Sequence, residues 1–103
     1  MDRIASLKEI LAADPGNSLA RYAMAMELAG RGDTAAALAE FDTLLANNPN
    51  HTAGYFMSAQ TLVELGRKAA ATERLKAGID CAAREGNNHA LSEMQSMLDE
   101  LKE

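Results

Sequence analysis

The amino-acid sequence predicts an all-α protein of about six helices, and three observations support this fold class. Ala, Leu, Met and Glu are abundant, Val and Ile are scarce, and aromatic residues make up only 4% of the 103 residues, a balance that favours helix over strand. Gly, Pro, Asn and Asp are concentrated in short clusters, which mark turns. The segments between these clusters have helical length, and their short connections favour antiparallel neighbours.

The turn clusters divide the chain into six predicted helices. The clusters lie at residues 14–17, 30–33, 47–50, 66–67 and 86–88. The helices are predicted from Asp2 to Ala13, Ser18 to Ala29, Thr34 to Ala46, Thr52 to Leu65, Lys68 to Glu85 and Asn88 to Leu101. Side-chain oxygens predict N-caps at Asn17 or Ser18, at Asp33 or Thr34, at Thr52 and at Asn88.

Composition and charge exclude several classes of protein. Hydrophobic residues make up 48% and charged residues 24% of the chain, which indicates one globular domain rather than a disordered chain. The net charge of −5 argues against nucleic acid or an anionic membrane as the main partner. A single cysteine and the lack of an apolar signal segment after Met1 lead us to expect a cytoplasmic protein.

An internal repeat relates two parts of the chain. When the sequence is displaced along itself until Pro15 falls on Pro49, Gly32 falls on Gly66 and Ala37 falls on Ala71. Both glycines stand where a helix ends and the chain reverses, which predicts a positive φ. Both alanines are small residues one helical turn before a large one, as expected where two helices approach closely. The same displacement also places identical residues opposite Leu11, Ala12, Ala25 and Leu28.

A helix–turn–helix unit with a period of about 34 residues resembles the tetratricopeptide repeat family, whose signature is W-x2-L-G-x2-Y…A-x3-F…P. The second half of the signature is matched by Ala37, Phe41 and Pro49, and then by Ala71 and Leu75. The first half falls on Arg21, Met24, Ala25 and Leu28, and then on Tyr55, Ser58, Ala59 and Leu62. Arg21 therefore replaces an aromatic residue and Ser58 replaces a leucine. Ala83 stands where the final proline belongs, so the helix from Lys68 is expected to continue towards Glu85.

The resemblance implies a right-handed α-solenoid of antiparallel helix pairs, in a small protein of the bacterial type. One domain, 1–103, would comprise a half-repeat helix (2–17), two repeats (18–51 and 52–85) and a C-terminal capping helix (88–102). The capping helix carries an apolar stripe suited to covering the end of the stack: Leu91, Met94, Leu98 and Leu101. The first helix lacks its own partner, so it must dock on the next hairpin or on a second chain.

The sequence contains no constellation of residues with assignable catalytic or metal-binding roles. His51 and His89 stand near helix starts without a second ligand nearby, which predicts surface or capping roles. Cys81 lies in an Ala-rich helical run, which predicts a buried thiol. The glycines of residues 30–33 join two helices instead of following a strand, so they lack the setting of a phosphate-binding loop. We therefore expect no enzymatic activity, no cofactor and no metal.

The resemblance implies that the first helix of each repeat lines a concave groove for a peptide or helix of another protein. The helices from Ser18 and Thr52 are apolar nearly all round. Either they are contacted on several sides and belong to the core, or some of their side chains are open anchors for an apolar ligand. The predicted groove residues are Leu19, Tyr22, Met26, Phe56, Met57, Gln60 and Val63.

The predicted partner is an apolar or amphipathic segment of another protein. Some family members clasp a terminal carboxylate with Lys, Arg and Asn along the groove, but no cation stands at those places here, so no such clamp is expected. An alternative function is a self-associating assembly subunit, a homodimer formed through the exposed N-terminal helix with Ile4, Leu7 and Leu11. An enzyme is the third hypothesis, and it would require polar residues that converge in a pocket.

Overall fold

The computed structural model describes residues 2–103, and all six predicted helices are present. They are α1 (Arg3–Ala13), α2 (Ser18–Gly30), α3 (Thr34–Asn47), α4 (Thr52–Glu64), α5 (Lys68–Arg84) and α6 (Asn88–Leu101). Every boundary agrees with the predicted one to within one residue, and no strand occurs in residues 2–103. Met1, the first residue of the predicted domain, lies outside the described residues.

The helices form antiparallel pairs that are stacked in a row. Each helix contacts chiefly its neighbours along the chain, and α6 also touches α4. The molecule is accordingly elongated, with principal extents of 43 × 29 × 19 Å. The predicted α-solenoid is confirmed. None of the described helices is long and apolar enough to cross a membrane.

The turn after α2 shows why a glycine is needed there, and the turn after α4 repeats it. Gly32 has a φ of 82° and Gly66 a φ of 75°, so the predicted positive φ is confirmed at both. The amide of Asp33 donates to the carbonyl of Leu28 at 2.9 Å, and the amide of Gly32 to that of Ala29 at 3.0 Å. This pair of bonds satisfies carbonyl groups that the end of the helix leaves without partners.

Three helices begin with a side-chain N-cap, and two of these caps differ from the prediction. The Oδ1 atom of Asn17 accepts the N–H three residues on at 2.9 Å, as predicted. The Nδ1 atom of His51 caps α4 and the Oδ1 atom of Asn87 caps α6, each at 3.0 Å. Thr52 and Asn88, the predicted caps, are already the first helical residues, one position too late for the extended backbone that an N-cap requires. The side-chain cap predicted at the start of α3 is not formed.

The core runs along the stack between the paired helices. Ala37 and Phe41 are fully buried in α3, as are Ala71 and Leu75 in α5. The predicted alternation of small and large residues at these helix contacts is therefore confirmed. Apolar burial of this kind is the main stabilising term for helices whose own propensity is modest. The other fully buried apolar residues are Ala25, Leu44, Ala59, Cys81, Ala82 and Met94.

Helix α1 docks on α2, which is the first of the two arrangements expected for it. Leu7 is only 7% exposed and packs with Ala20 and Met24 of α2. Ile4 and Leu11 lie beside it, half-buried. The prediction of an exposed apolar surface on α1 is wrong for Leu7, which holds α1 on α2. Ile4 and Leu11 keep part of their surface open to a cavity between α1, α2 and α3. The homodimer formed through α1 stays a prediction.

Candidate functional site

Helices α2, α4 and α6 line one face of the stack, which we term the α2–α4–α6 face. A cavity of about 240 Å³ lies between all three helices, with Tyr22, Phe56, Met57 and Ala90 among its lining residues. A second cavity of about 320 Å³ lies between α4 and α6. Phe56 and Glu93 line both cavities, so the two adjoin and form one groove.

The structure brings four of the seven predicted groove residues together. Tyr22, Phe56 and Met57 line the first cavity, and Gln60 lines the second together with Phe56. The other three residues line neither cavity: Leu19 is 82% exposed, Val63 is 39% exposed, and Met26 is half-buried.

The sequence left two interpretations of these side chains, as core residues or as open anchors for a ligand. In the structure, the two interpretations apply to different edges of the same side chains. Tyr22, Phe56 and Met57 are all half-buried. Tyr22 and Met57 pack against the buried cluster around Phe41, and Phe56 packs against the cluster around Leu75. Each therefore has one edge fixed in the core and another that lines the groove, so the floor of the groove is already ordered before any ligand arrives.

Aromatic contacts hold Tyr22 at the junction of the two repeats. Its ring centroid lies 6.2 Å from that of Phe41 in an edge-to-face arrangement and 5.0 Å from that of His51. Burial raises the pKa of the Tyr22 hydroxyl, because a low-dielectric setting disfavours the phenolate. Since His51 also caps α4, this stack joins the wall of the groove to the start of the next helix.

Helix α6 forms a wall of the groove that the sequence analysis missed. Its apolar stripe covers the end of the stack as predicted, since Met94 is fully buried and Leu98 is 5% exposed. Another side of α6, however, lines the two cavities with Ala90, Glu93, Ser96, Met97 and Glu100.

One signal in the sequence would have found this wall. Helices α2 and α4 begin at residues 34 apart, but α4 and α6 begin at residues 36 apart, because α5 is longer than α3. A search at a fixed lag of 34 therefore loses the third helix. Aligned on the helix starts at Ser18, Thr52 and Asn88, Glu93 falls in register with Met57, and Ser96 with Gln60.

The groove combines an apolar floor with an acidic wall. Glu93 and Glu100 are its charged lining residues, and within residues 2–103 no Lys or Arg lines either cavity. The imidazole of His89 lies 3.0 Å from Glu93 and is 87% exposed. Arginines form ion pairs elsewhere on the molecule, among them Arg21 with Glu40 at 2.7 Å and Arg74 with Asp42 at 2.8 Å.

The remaining chemistry-bearing side chains do not converge on this groove. Cys81 is buried, as predicted, and its Sγ lies 3.4 Å from the hydroxyl of Thr52. In the part of the chain that the structure describes, no three His, Cys, Asp or Glu side chains lie close enough together to hold a metal ion. The arrangement therefore offers shape, apolar contact and negative charge to a ligand.

The family model described as tetratricopeptide repeat matches residues 28–96, and the chain belongs to this family. No curated protein sequence matches this chain. A tetratricopeptide repeat domain protein from Salinibacter ruber is 30% identical, with a TM-score of 0.80 and coverage of 85% of this chain and 89% of that chain.

Two solved structures with lower identity share the fold. The TPR2B domain of yeast Sti1, solved in complex with pHsp70, is 19% identical, with a TM-score of 0.89 and coverage of 96% of this chain and 79% of that chain. The type III secretion translocator chaperone SycD of Yersinia enterocolitica is 16% identical, with a TM-score of 0.90 and coverage of 96% and 69%. This fold generally mediates protein–protein interaction, and members of the family generally act as non-enzymatic scaffolds.

Proposed function

We propose that this protein is an interaction module that binds an apolar or amphipathic segment of another protein in the groove of the α2–α4–α6 face. The observation that carries the proposal is the cavity between Tyr22, Phe56 and Met57. Aromatic and Met side chains supply large, adaptable contact area, which makes them frequent anchors of binding surfaces. Their fixed inner edges lower the entropic cost of ordering the groove when a ligand binds.

The size of the groove limits the affinity that it can supply. Three helices border it, so the buried area falls at the small end of the range for specific interfaces. A helix laid in the groove would insert one or two large apolar side chains, following the helix-in-groove mode of recognition. The complex of the yeast TPR2B domain with pHsp70 supports the use of this fold for holding a protein partner.

The groove can be blocked without disturbing the core, because Ala53 lines the first cavity and is itself exposed. Ala53→Glu places a carboxylate over the cavity. Ala35→Glu is the matched control, since Ala35 is also exposed and is also the second residue of its helix. A random peptide library, with peptides long enough for about four helical turns, is displayed on phage and selected against the wild-type protein. The selected peptides are measured by fluorescence anisotropy.

We expect Ala53→Glu to weaken binding of the selected peptides at least about tenfold, which corresponds to a loss of about 1.4 kcal/mol. Ala35→Glu should bind them like the wild type. If no peptide is selected, or if Ala53→Glu binds the peptides as tightly as the wild type, the groove is not the binding site.

A further inference from the structure

We infer that the segment bound in the groove is an amphipathic helix that carries Lys or Arg beside its apolar face, an inference that rests on the proposed function. The acidic residues Glu93 and Glu100 stand along the rim of an apolar floor. A ligand helix must place its flanking polar residues against this rim. Opposite charges there attract, whereas like charges at an interface repel and exclude the ligand.

Neither carboxylate of the groove has a Lys or Arg partner among the described residues, whereas some acidic residues elsewhere on the molecule do. On the opposite side of the stack, Glu40 and Asp42 each form an ion pair with an arginine. Among the described residues, the ion-pair partner of Glu93 is the exposed His89, and Glu100 forms no ion pair with Lys or Arg. One basic side chain of the partner at each position would pair with that carboxylate.

The spacing of the carboxylates fits a helical partner. Glu93 and Glu100 are seven residues apart on α6, which is about two turns, or about 10 Å along the axis. On a ligand helix packed alongside α6, residues seven apart recur on the same face at the same distance. Two basic residues at that spacing therefore meet both carboxylates, while the apolar residues between them face Phe56 and Met57.

The inference is tested with two synthetic amphipathic peptides that share one Leu-rich face and are each about five helical turns long. One peptide carries Lys and the other carries Glu at two flanking positions seven residues apart. Binding is measured by fluorescence anisotropy at about 50 and about 300 mM NaCl, because salt screens exposed charges. The wild type is compared with Glu93→Gln/Glu100→Gln. The control variant is Glu9→Gln/Asp80→Asn, which changes the net charge equally at exposed positions on α1 and α5.

We expect the wild type to bind the Lys peptide at least about tenfold more tightly than the Glu peptide. Glu93→Gln/Glu100→Gln should weaken the Lys peptide about fivefold, as the loss of two exposed ion pairs implies, and should flatten its salt dependence. The control variant should keep wild-type affinity.

Three results would overturn the inference, and they differ in what they say about the groove. If the wild type binds both peptides equally and Ala53→Glu abolishes this binding, the groove is the binding site but has no preference for basic residues. An equal loss in the control variant shows that the net charge of the protein attracts the Lys peptide. If neither peptide binds while library-selected peptides do, the partner has a different chemistry and the proposed function stands.

Discussion

Residues 21 and 55 differ in chemistry but make the same contact. Arg21 Nη2 donates to the carbonyl of Pro15 at 3.0 Å, and Tyr55 Oη donates to the carbonyl of Pro49 at 2.8 Å. The two donors are one repeat apart, and so are the two acceptors. The bond ties the first helix of each repeat to the turn before it, and either a guanidinium or a phenol has the length to reach. This explains why an arginine stands where the family pattern has an aromatic residue.

Tyr55→Phe tests the contribution of this bond. The variant keeps the ring but removes the hydroxyl that donates to Pro49. We expect the free energy of unfolding in urea to fall by about 1 kcal/mol, the net value of a typical intramolecular hydrogen bond. A free energy of unfolding equal to that of the wild type would show that water replaces the bond at no cost.

The raised pKa of Tyr22 predicts a loss of stability at alkaline pH. Burial raises this pKa above the ordinary value of 10.0, so the folded protein retains the proton at a pH where the unfolded chain releases it. The contribution of the protonated Tyr22 to the free energy of unfolding is fully present below about pH 10. It is lost as the pH rises through the pKa that Tyr22 has in the folded protein. Between about pH 9 and pH 11, we expect the free energy of unfolding to fall more in the wild type than in Tyr22→Phe. Parallel urea-unfolding curves for the two proteins would contradict this.

His51 has two roles that two substitutions separate. Its Nδ1 atom caps α4, and its ring stacks on Tyr22. His51→Ala removes both interactions, and His51→Asn restores only the cap. We expect His51→Ala to destabilise the protein by about 2 kcal/mol and His51→Asn by about 1 kcal/mol less than that, measured by urea unfolding. If both variants lose the same free energy of unfolding, the whole effect comes from the ring contact with Tyr22 and none from the cap.

At the scale of elements, Gly78 marks a close approach of α5 to both α4 and α6. A Cβ atom built on Gly78 would lie 2.7 Å from the Cβ of Tyr55 in α4 and 2.5 Å from the sulfur of Met94 in α6. Such distances are far below van der Waals contact. Gly78 therefore sets the spacing of three helices, although glycine costs helix propensity in this position.

Gly78→Ala should destabilise the protein even though alanine is the better helix former. Propensity alone would stabilise the helix by about 1 kcal/mol, but the overpacking costs typically about 1–3 kcal/mol and the helices must separate. Gly30→Ala is the control, because Gly30 ends α2 with no atom within 4 Å of the added Cβ. A melting temperature of Gly78→Ala at or above that of the wild type would contradict the close approach.

Arg74 explains the serine that stands where the family pattern has a leucine. Ser58 is fully buried in α4, and its hydroxyl accepts a hydrogen bond from Arg74 of α5 at 3.0 Å and donates one to the carbonyl of Tyr55 at 3.2 Å. Arg74 also reaches Asp42 of α3. One guanidinium thus connects three consecutive helices, and a larger apolar residue at position 58 would displace it.

For the whole molecule, the fold was predictable from the sequence because its signals are local. Each turn carries its own glycine, proline or asparagine, and Gly32 and Gly66 adopt the positive φ that their positions predict. The groove was only half predictable. Its wall on α6 depends on the longer α5. Outside the groove, the hydrogen bond between Ser58 and Arg74, which are 16 residues apart, was not predicted either. Neither feature can be recognised from a sequence pattern with a constant repeat length.

Removal of α6 should unfold the stack rather than leave a shorter one. A chain that ends at Asn87 would expose Ala59, Leu75 and Ala82, which are fully buried beneath Met94 and its neighbours. We expect the cooperative thermal transition, followed by circular dichroism, to be lost. A chain that ends at Leu101 keeps all of α6 and should melt like the wild type. A sharp transition in the shorter chain would show that α1 to α5 suffice.

Unequal anchoring along the stack has a consequence for amide hydrogen exchange. Leu7 is the one buried residue of α1, whereas α4 and α5 have five each. In a row of helices held by nearest neighbours, the least anchored end opens first. Deuterium should therefore enter α1 long before the middle of the chain. Because α1 lies outside the α2–α4–α6 face, this fraying spares the surface on which a partner would dock.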